Sequence, residues 1–438
     1  MPNAPKSRNS VRRARLPALL LVVAACATRA PSDAPEAAVS AAAAFSTGRT
    51  AYEERRFSDA ATAFETAVEK APSLAIDGSY SAACSRALAG DVDRAHRELE
   101  RALDAGFRDE FALRTDPDLE SLRALDTWPK LLAHAEANDR ALRTARALPS
   151  SARLVLDDIE RFAAVADQLQ PGATMESVQA PLLRDYFGRA SPGLVDFLAL
   201  GKITDPEQLA GTAAALPRFY GSFARSVPAL RGRMNVVRAA MERFEARYPD
   251  AFFPDVYFVV GHFRSGGTST ANGLVIGTEL YCGTPETVLD ELPVESRGIV
   301  VSVDELPGVV LHELTHFQQN GGGERTLLRA ALVEGTADYV ASLVLPDLPE
   351  PAYRAWGRAH AEEVRERFLA ARNGTDTSEW IANNDRARPD WPAALGYYVG
   401  FEIARGYVAR GGDERAALRD LFQLADPAAI LAASGYAR

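Results

Sequence analysis

Apolar positions recur with helical period from residue 152 onward. Leu154, Leu156, Ile159, Phe162, Ala163 and Val165 mark one face of a first segment. The pattern predicts helices over 152–169, 174–188, 191–200, 205–225 and 230–247, punctuated by Pro181, Pro192, Pro206, Pro217 and Pro228. The period then changes. Asp255 to Gly261 is β-branched and aromatic and reads as a strand, a glycine-rich turn follows over 264–270, and 272–281 reads as a second strand. Helical patterning returns over 307–319, 325–344 and 351–372. A polar stretch, 373–392, is expected to loop over a cleft. Helices over 392–410, 413–424 and 426–433 close the chain. The fold class expected is mostly α with a small β-sheet (α+β).

Before residue 147 the pattern repeats. Gly48, Tyr52, Phe57, Ala60, Phe64, Ala67 and Pro72 are followed by Ala83, Gly90, Asp91, Ala95, Leu99 and Ala102. Ala60 and Ala95 are 35 residues apart, and the offsets resemble the tetratricopeptide repeat. Residues 107–147, with Leu119, Leu122, Leu125, Trp128, Leu131 and Leu132, read as a capping segment, since two repeats bury little surface by themselves. A module over 45–147 is therefore expected, joined at 147–151 to a second domain over 151–438. The module either binds a peptide or partner protein or spaces the second domain.

The first 25 residues carry Lys6, Arg8, Arg12, Arg13 and Arg15, no acid, and the apolar run 16–25. That run is too short to span a bilayer and suits a signal-peptide core. Val23-Ala-Ala-Cys26 resembles a bacterial lipobox, which implies cleavage before Cys26, a lipid on its sulfur and a place in the cell envelope. Residues 26–44, rich in Ala, Pro and Ser, read as a flexible tether. Without the leader, 44 basic residues face 59 acids, a net charge of −15, which argues against nucleic-acid binding. Cys84 and Cys282 are too few for a disulfide framework.

Candidate chemistry concentrates in His312-Glu313-Leu314-Thr315-His316. On a helix both imidazoles share a face and can meet one cation, with Glu313 beside it, the spacing of a zinc-hydrolase helix. A solvated helix face can match five residues by chance. The flanks Val309, Val310, Leu311, Leu314 and Phe317 instead suit a buried helix, where unpaired histidines are costly. Eighteen residues past His316 stands Glu334, the candidate third ligand. Asp338, one turn on, is placed to accept a hydrogen bond from the second nitrogen of a ligand histidine, and Gly335 leaves room for a neighbouring helix. The resulting E-x-x-x-D element after H-E-x-x-H resembles the gluzincin metallopeptidases.

Residues 255–438 as a whole are similar to a family of zinc-dependent proteases assigned by motif, found largely as bacterial lipoproteins and in part related to gliding-motility lipoproteins. The matching pieces are Gly266-Gly-Thr268, Asn272 to Gly277, the His312–His316 motif with Gln318, Glu334 to Asp338, and Leu395 to Gly400. The resemblance implies a Zn²⁺ cofactor on His312, His316 and Glu334, with Glu313 as general base for peptide hydrolysis. It also implies a strand beside the metal helix that pairs with an extended peptide or protein substrate, a role assigned to Gly273, Leu274, Val275, Ile276 and Gly277. Tyr397 or Tyr398 is the candidate oxyanion donor. Two alternatives stand beside the peptidase: a binding or assembly lipoprotein with a structural or vestigial zinc site, and a zinc amidase acting on cell-wall peptides.

Overall fold

The structure, a computed structural model, describes residues 34–203, 205–319 and 325–438. Among these, helices dominate and four short strands form one mixed sheet. The strands are β1 (Leu154–Val155), β2 (Val256–Val259), β3 (Gly267–Thr270) and β4 (Gly273–Gly277), in spatial order β1-β2-β4-β3. β2 runs parallel to both neighbours, with Tyr257 opposite Val155 and Val275. β3 runs antiparallel to β4, with Thr268 opposite Val275. Two residues, Ala271 and Asn272, connect β3 to β4. Gly273 takes φ +142°, and a Cβ there would sit 2.2 Å from the Asp255 carbonyl oxygen, so only glycine fits this turn. The stretch expected as a glycine-rich turn over 264–270 thus contains a strand.

Several predicted helices differ in extent. Residues 205–225 and 230–247 were expected as two helices breaking near Pro228. Instead Pro206–Ala215 is one helix and Pro217–Arg247 another, with Pro228 inside the longer one. Burial of Phe219, Tyr220, Phe223, Val227 and Leu230 on both sides of the proline holds that helix together. The predicted helix over 351–372 is interrupted at His360, leaving Ala352–Ala359 and Ala361–Ala371.

The flexible tether expected over 26–44 is helical from Ala34, in a helix Ala34–Glu53. Ala38, Ala41, Ala42 and Phe45 are buried, and their i, i+3, i+4, i+7 spacing is that of a packed face. Residues 1–25 and Cys26 lie outside the described residues.

The helices Phe57–Lys70, Ala75–Leu88 and Val92–Asp104 follow one another with short connections. Ala34–Arg438 is one compact unit, and the expected boundary at 147–151 falls inside it. The main apolar cluster takes residues from Ala38 through Ala82 in the first helices and continues to Leu431. A smaller cluster over Ala83–Ala135 contains Leu99, Leu113, Leu119 and Trp128. Cys84 and Cys282 are both buried and free. Among the described residues no helix is long and apolar enough to cross a membrane.

Candidate metal centre

The motif histidines lie on the helix Leu306–Gln318, opened by Pro307 in its first turn. Its C-terminal neighbour Gln319 is extended. Glu334 lies on the helix Leu327–Val344, whose N-cap Thr326 accepts a hydrogen bond from Arg329 N at 3.2 Å. A third helix, Leu395–Gly411, crosses the second at close range. A Cβ on Gly335 would sit 2.1 Å from Phe401 N, and one on Gly400 would sit 1.7 Å from the Ala331 carbonyl oxygen. The backbones touch because both positions are glycine.

These helices bring three donor atoms together. His312 Nε2 and His316 Nε2 are 3.0 Å apart, and Glu334 Oε2 lies 3.3 Å from the first and 3.4 Å from the second. In a tetrahedral zinc site with bonds near 2.0–2.1 Å, donor atoms are about 3.3 Å apart. The three edges of this triangle are close to that length.

The remaining imidazole nitrogens are engaged. His312 Nδ1 is 2.8 Å from Asp338 Oδ1, and His316 Nδ1 is 2.8 Å from Gln319 Oε1. Gln319 donates its Nε2 to the Val333 carbonyl at 2.9 Å, which fixes the amide so that Oε1 faces His316. Both Nδ1 atoms are therefore donors, and in neutral imidazoles both Nε2 atoms carry lone pairs. Two lone pairs and a carboxylate facing one another within 3.4 Å repel unless a proton or a metal cation lies among them. The residues fit a divalent metal.

Electrostatics at the site follow from burial and these contacts. Burial alone would lower the His312 pKa, but the hydrogen bonds to Asp338 and Glu334 outweigh it and raise it well above the ordinary value. Burial pushes Glu334 up, and the two imidazoles more than reverse this, holding its carboxyl well below the usual range. Glu313 is only 9% exposed, and burial raises its pKa despite the nearby histidines. Its side chain rests on the edge strand. A Cβ at Gly267 would lie 2.6 Å from Glu313 Oε1, and Ser269 Oγ donates to the Glu313 carbonyl at 3.3 Å.

The two candidate tyrosines part company. The Tyr397 ring is nearly parallel to that of His312, at 20° and 6.2 Å between centroids. Burial first, then the charges of Glu334 and Asp338, raise its hydroxyl pKa, and that hydroxyl faces Glu334. Tyr398 turns away, its ring filling the space over Gly357. Residues 373–392 are mostly irregular and internally packed. Trp380 and Trp391 are buried edge to face at 5.2 Å, and Asn383 Oδ1 accepts from Ala394 N.

The strand assignment also changes. Gly273, Leu274, Val275, Ile276 and Gly277 form β4, buried throughout and paired on both sides, so they have no free edge for a substrate. Among the described residues, the free edge beside the histidine helix belongs to β3, Gly267–Thr270. Sequence reasoning also missed Gln319 and Tyr353, whose hydroxyl donates to the second oxygen of Asp338. Neither carries a motif signal, although Gln319 stands one turn from His316.

A second group, Cys84, Asp116 and Asp118, also lies within metal-ligand spacing. There the carboxylates already accept from Tyr80 and Tyr52 hydroxyls, and burial raises the Cys84 thiol pKa, consistent with a buried structural cysteine. Comparison with protein-family models, with curated proteins and with solved structures returns no match to this chain.

Proposed function

We propose that the chain is a zinc-dependent peptidase held at a bacterial cell envelope by a lipid on Cys26. One observation carries the reading: three donors 3.0–3.4 Å apart, with both imidazole Nδ1 atoms already committed to Asp338 and Gln319. His312, His316 and Glu334 would hold the ion. Bound there, zinc lowers the pKa of water and polarises a carbonyl.

The chain's own groups supply the rest. Glu313 takes the proton of the attacking water and delivers it to the leaving amine. Tyr397, with its proton held firmly by burial, donates to the oxygen on which negative charge develops. Asp338 and Gln319 orient the imidazoles. The free edge of β3 pairs with an extended peptide, and Gly267 lets that strand lie directly on Glu313.

The test is digestion of a peptide library, with cell-wall muropeptides as a second substrate set, by zinc-loaded wild type and Glu313→Gln, with zinc content measured on both. Peptide cleavage by wild type alone, with equal zinc in both, supports the reading. Undiminished cleavage by Glu313→Gln removes that residue as base, and muropeptide-only cleavage moves the enzyme to the amidases.

A further inference from the structure

A cavity of about 610 Å³ opens where the N-terminal helices face the C-terminal end of the histidine helix. It adjoins the candidate metal centre through Gln319, which lines the cavity and contacts His316 Nδ1. It adjoins the free sheet edge through Ala271, the residue that follows β3 and also lines it. From Gly267, against Glu313, to Ala271 is four residues of extended chain, about 13 Å. A peptide paired along β3 with its reacting bond at Glu313 therefore lays a side chain into this cavity.

The cavity lining is acidic, with five acids against three arginines. Each arginine has a carboxylate partner: Arg108 and Arg143 share Asp139 at 3.0 and 2.7 Å, and Arg140 pairs with Glu136 at 3.6 Å, so Asp77, Asp109 and Glu110 outweigh the one positive charge left over. Asp77 is different. It has no hydrogen-bond donor and no cation partner among the described residues, and burial raises its carboxyl pKa. Its place in the first turn of the helix Ala75–Leu88 offsets part of that cost through the helix dipole. Its charge is felt by Asp196, buried behind the cavity wall. Asn272 fixes the geometry by donating to the Ser73 carbonyl at 2.9 Å and to Asp196 at 3.0 Å, which ties the β3–β4 turn to the start of the Asp77 helix. Ile76, Phe107 and Phe317 supply apolar wall for an aliphatic stem.

We infer that this cavity is a subsite for a lysine or arginine side chain of the peptide substrate, with Asp77 as the residue that selects it. The inference rests on the peptidase reading and assigns the N-terminal helices a part in specificity. The basic residue stands three to five positions from the bond that is cut, the span from Gly267 to Ala271.

The test uses decapeptides of an Ala/Ser background with one Lys, Gln or Glu placed at each position in turn. Zinc-loaded wild type and Asp77→Asn are compared by kcat/KM ratio within each protein, so a general loss of activity does not enter. Wild type is expected to prefer Lys over Gln by at least about tenfold at one position, three to five from the cut, and Asp77→Asn to bring that ratio near one. A wild type indifferent to Lys, or an Asp77→Asn variant that keeps the preference, overturns the subsite. Binding of fluorescently labelled Lys and Gln peptides to zinc-loaded Glu313→Gln, with and without Asp77→Asn, reads the same contact without turnover. If wild type cleaves nothing yet the Lys peptide binds tighter through Asp77, the peptidase reading fails and the subsite stands. If the two peptides bind equally, the subsite fails whatever is cleaved.

Discussion

Replacing Gly400 by alanine tests how the site is assembled. The added Cβ would sit 1.7 Å from the Ala331 carbonyl oxygen and 3.1 Å from Gly335 Cα. Both neighbours are backbone, so no rotamer change relieves the clash. Restoring an ordinary 3.4 Å contact moves the Leu327–Val344 and Leu395–Gly411 helices apart by about 1.7 Å. Overpacking costs about 3 kcal/mol at the upper end of its usual range, and alanine returns about 1 kcal/mol through helix propensity. A net loss of about 2 kcal/mol is expected. Metal binding should suffer more. Glu334 adjoins Gly335, and metal donors tolerate only ~0.2 Å, so zinc affinity should fall on the order of 100-fold. The assay is denaturant unfolding with zinc and with chelator, beside competition for zinc with a chromogenic chelator. Gly232→Ala is the control, because nothing lies within 4 Å of a Cβ there. It should be neutral or slightly stabilising. A Gly400→Ala protein with the wild-type midpoint and zinc affinity would refute the idea that this helix contact positions Glu334.

Other outcomes follow from single contacts. Glu313→Gln should keep its zinc and lose about 10²–10⁴-fold in kcat, read by elemental analysis and steady-state kinetics. Asp338→Asn should weaken zinc binding by about 10–100-fold, because the His312 Nδ1 proton loses its carboxylate. Tyr397→Phe should lower kcat by about 10²-fold with little change in KM, while Tyr398→Phe, facing Gly357, leaves kcat unaltered. Burial raises buried Glu279 from 4.5 to about 7, against backbone hydrogen bonds from Gly261 and Phe263 that lower it. The folded state then binds the proton more tightly than the unfolded chain, so this group's contribution to stability falls as pH rises from 4.5 to 7. Glu279→Gln should flatten the dependence of unfolding free energy on pH across that window, and an unchanged slope would rule the group out as its source.

The local chemistry of the site was legible because it obeys helical spacing. His312 and His316, and likewise Glu334 and Asp338, stand four apart on single helices, and the glycine at 335 marked a close approach. What spacing could not supply was pairing order. Leu274, Val275 and Ile276 form an unbroken apolar run, the mark of a strand covered on both faces, whereas Thr268, Ser269 and Thr270 are half-buried at the edge. Glycines around the polar run made it look like a turn. Tyr397 and Tyr398 are adjacent, and which one faces His312 and Glu334 depends on where their helix starts. That is set by Ala394 in a left-handed conformation (φ 64°), which no composition rule anticipates. In 26–44 composition argued for a linker, yet the spacing of Ala38, Ala41, Ala42 and Phe45 already described a buried face.

The most direct measurement is zinc per chain after zinc loading and exhaustive dialysis, by elemental analysis of wild type, Glu313→Gln, His312→Ala and Glu334→Ala. Close to one ion in the first two, and a large loss in the last two, is the expected result. A wild type that emerges without zinc, or alanine variants that retain as much as wild type, would contradict a metal centre built from His312, His316 and Glu334.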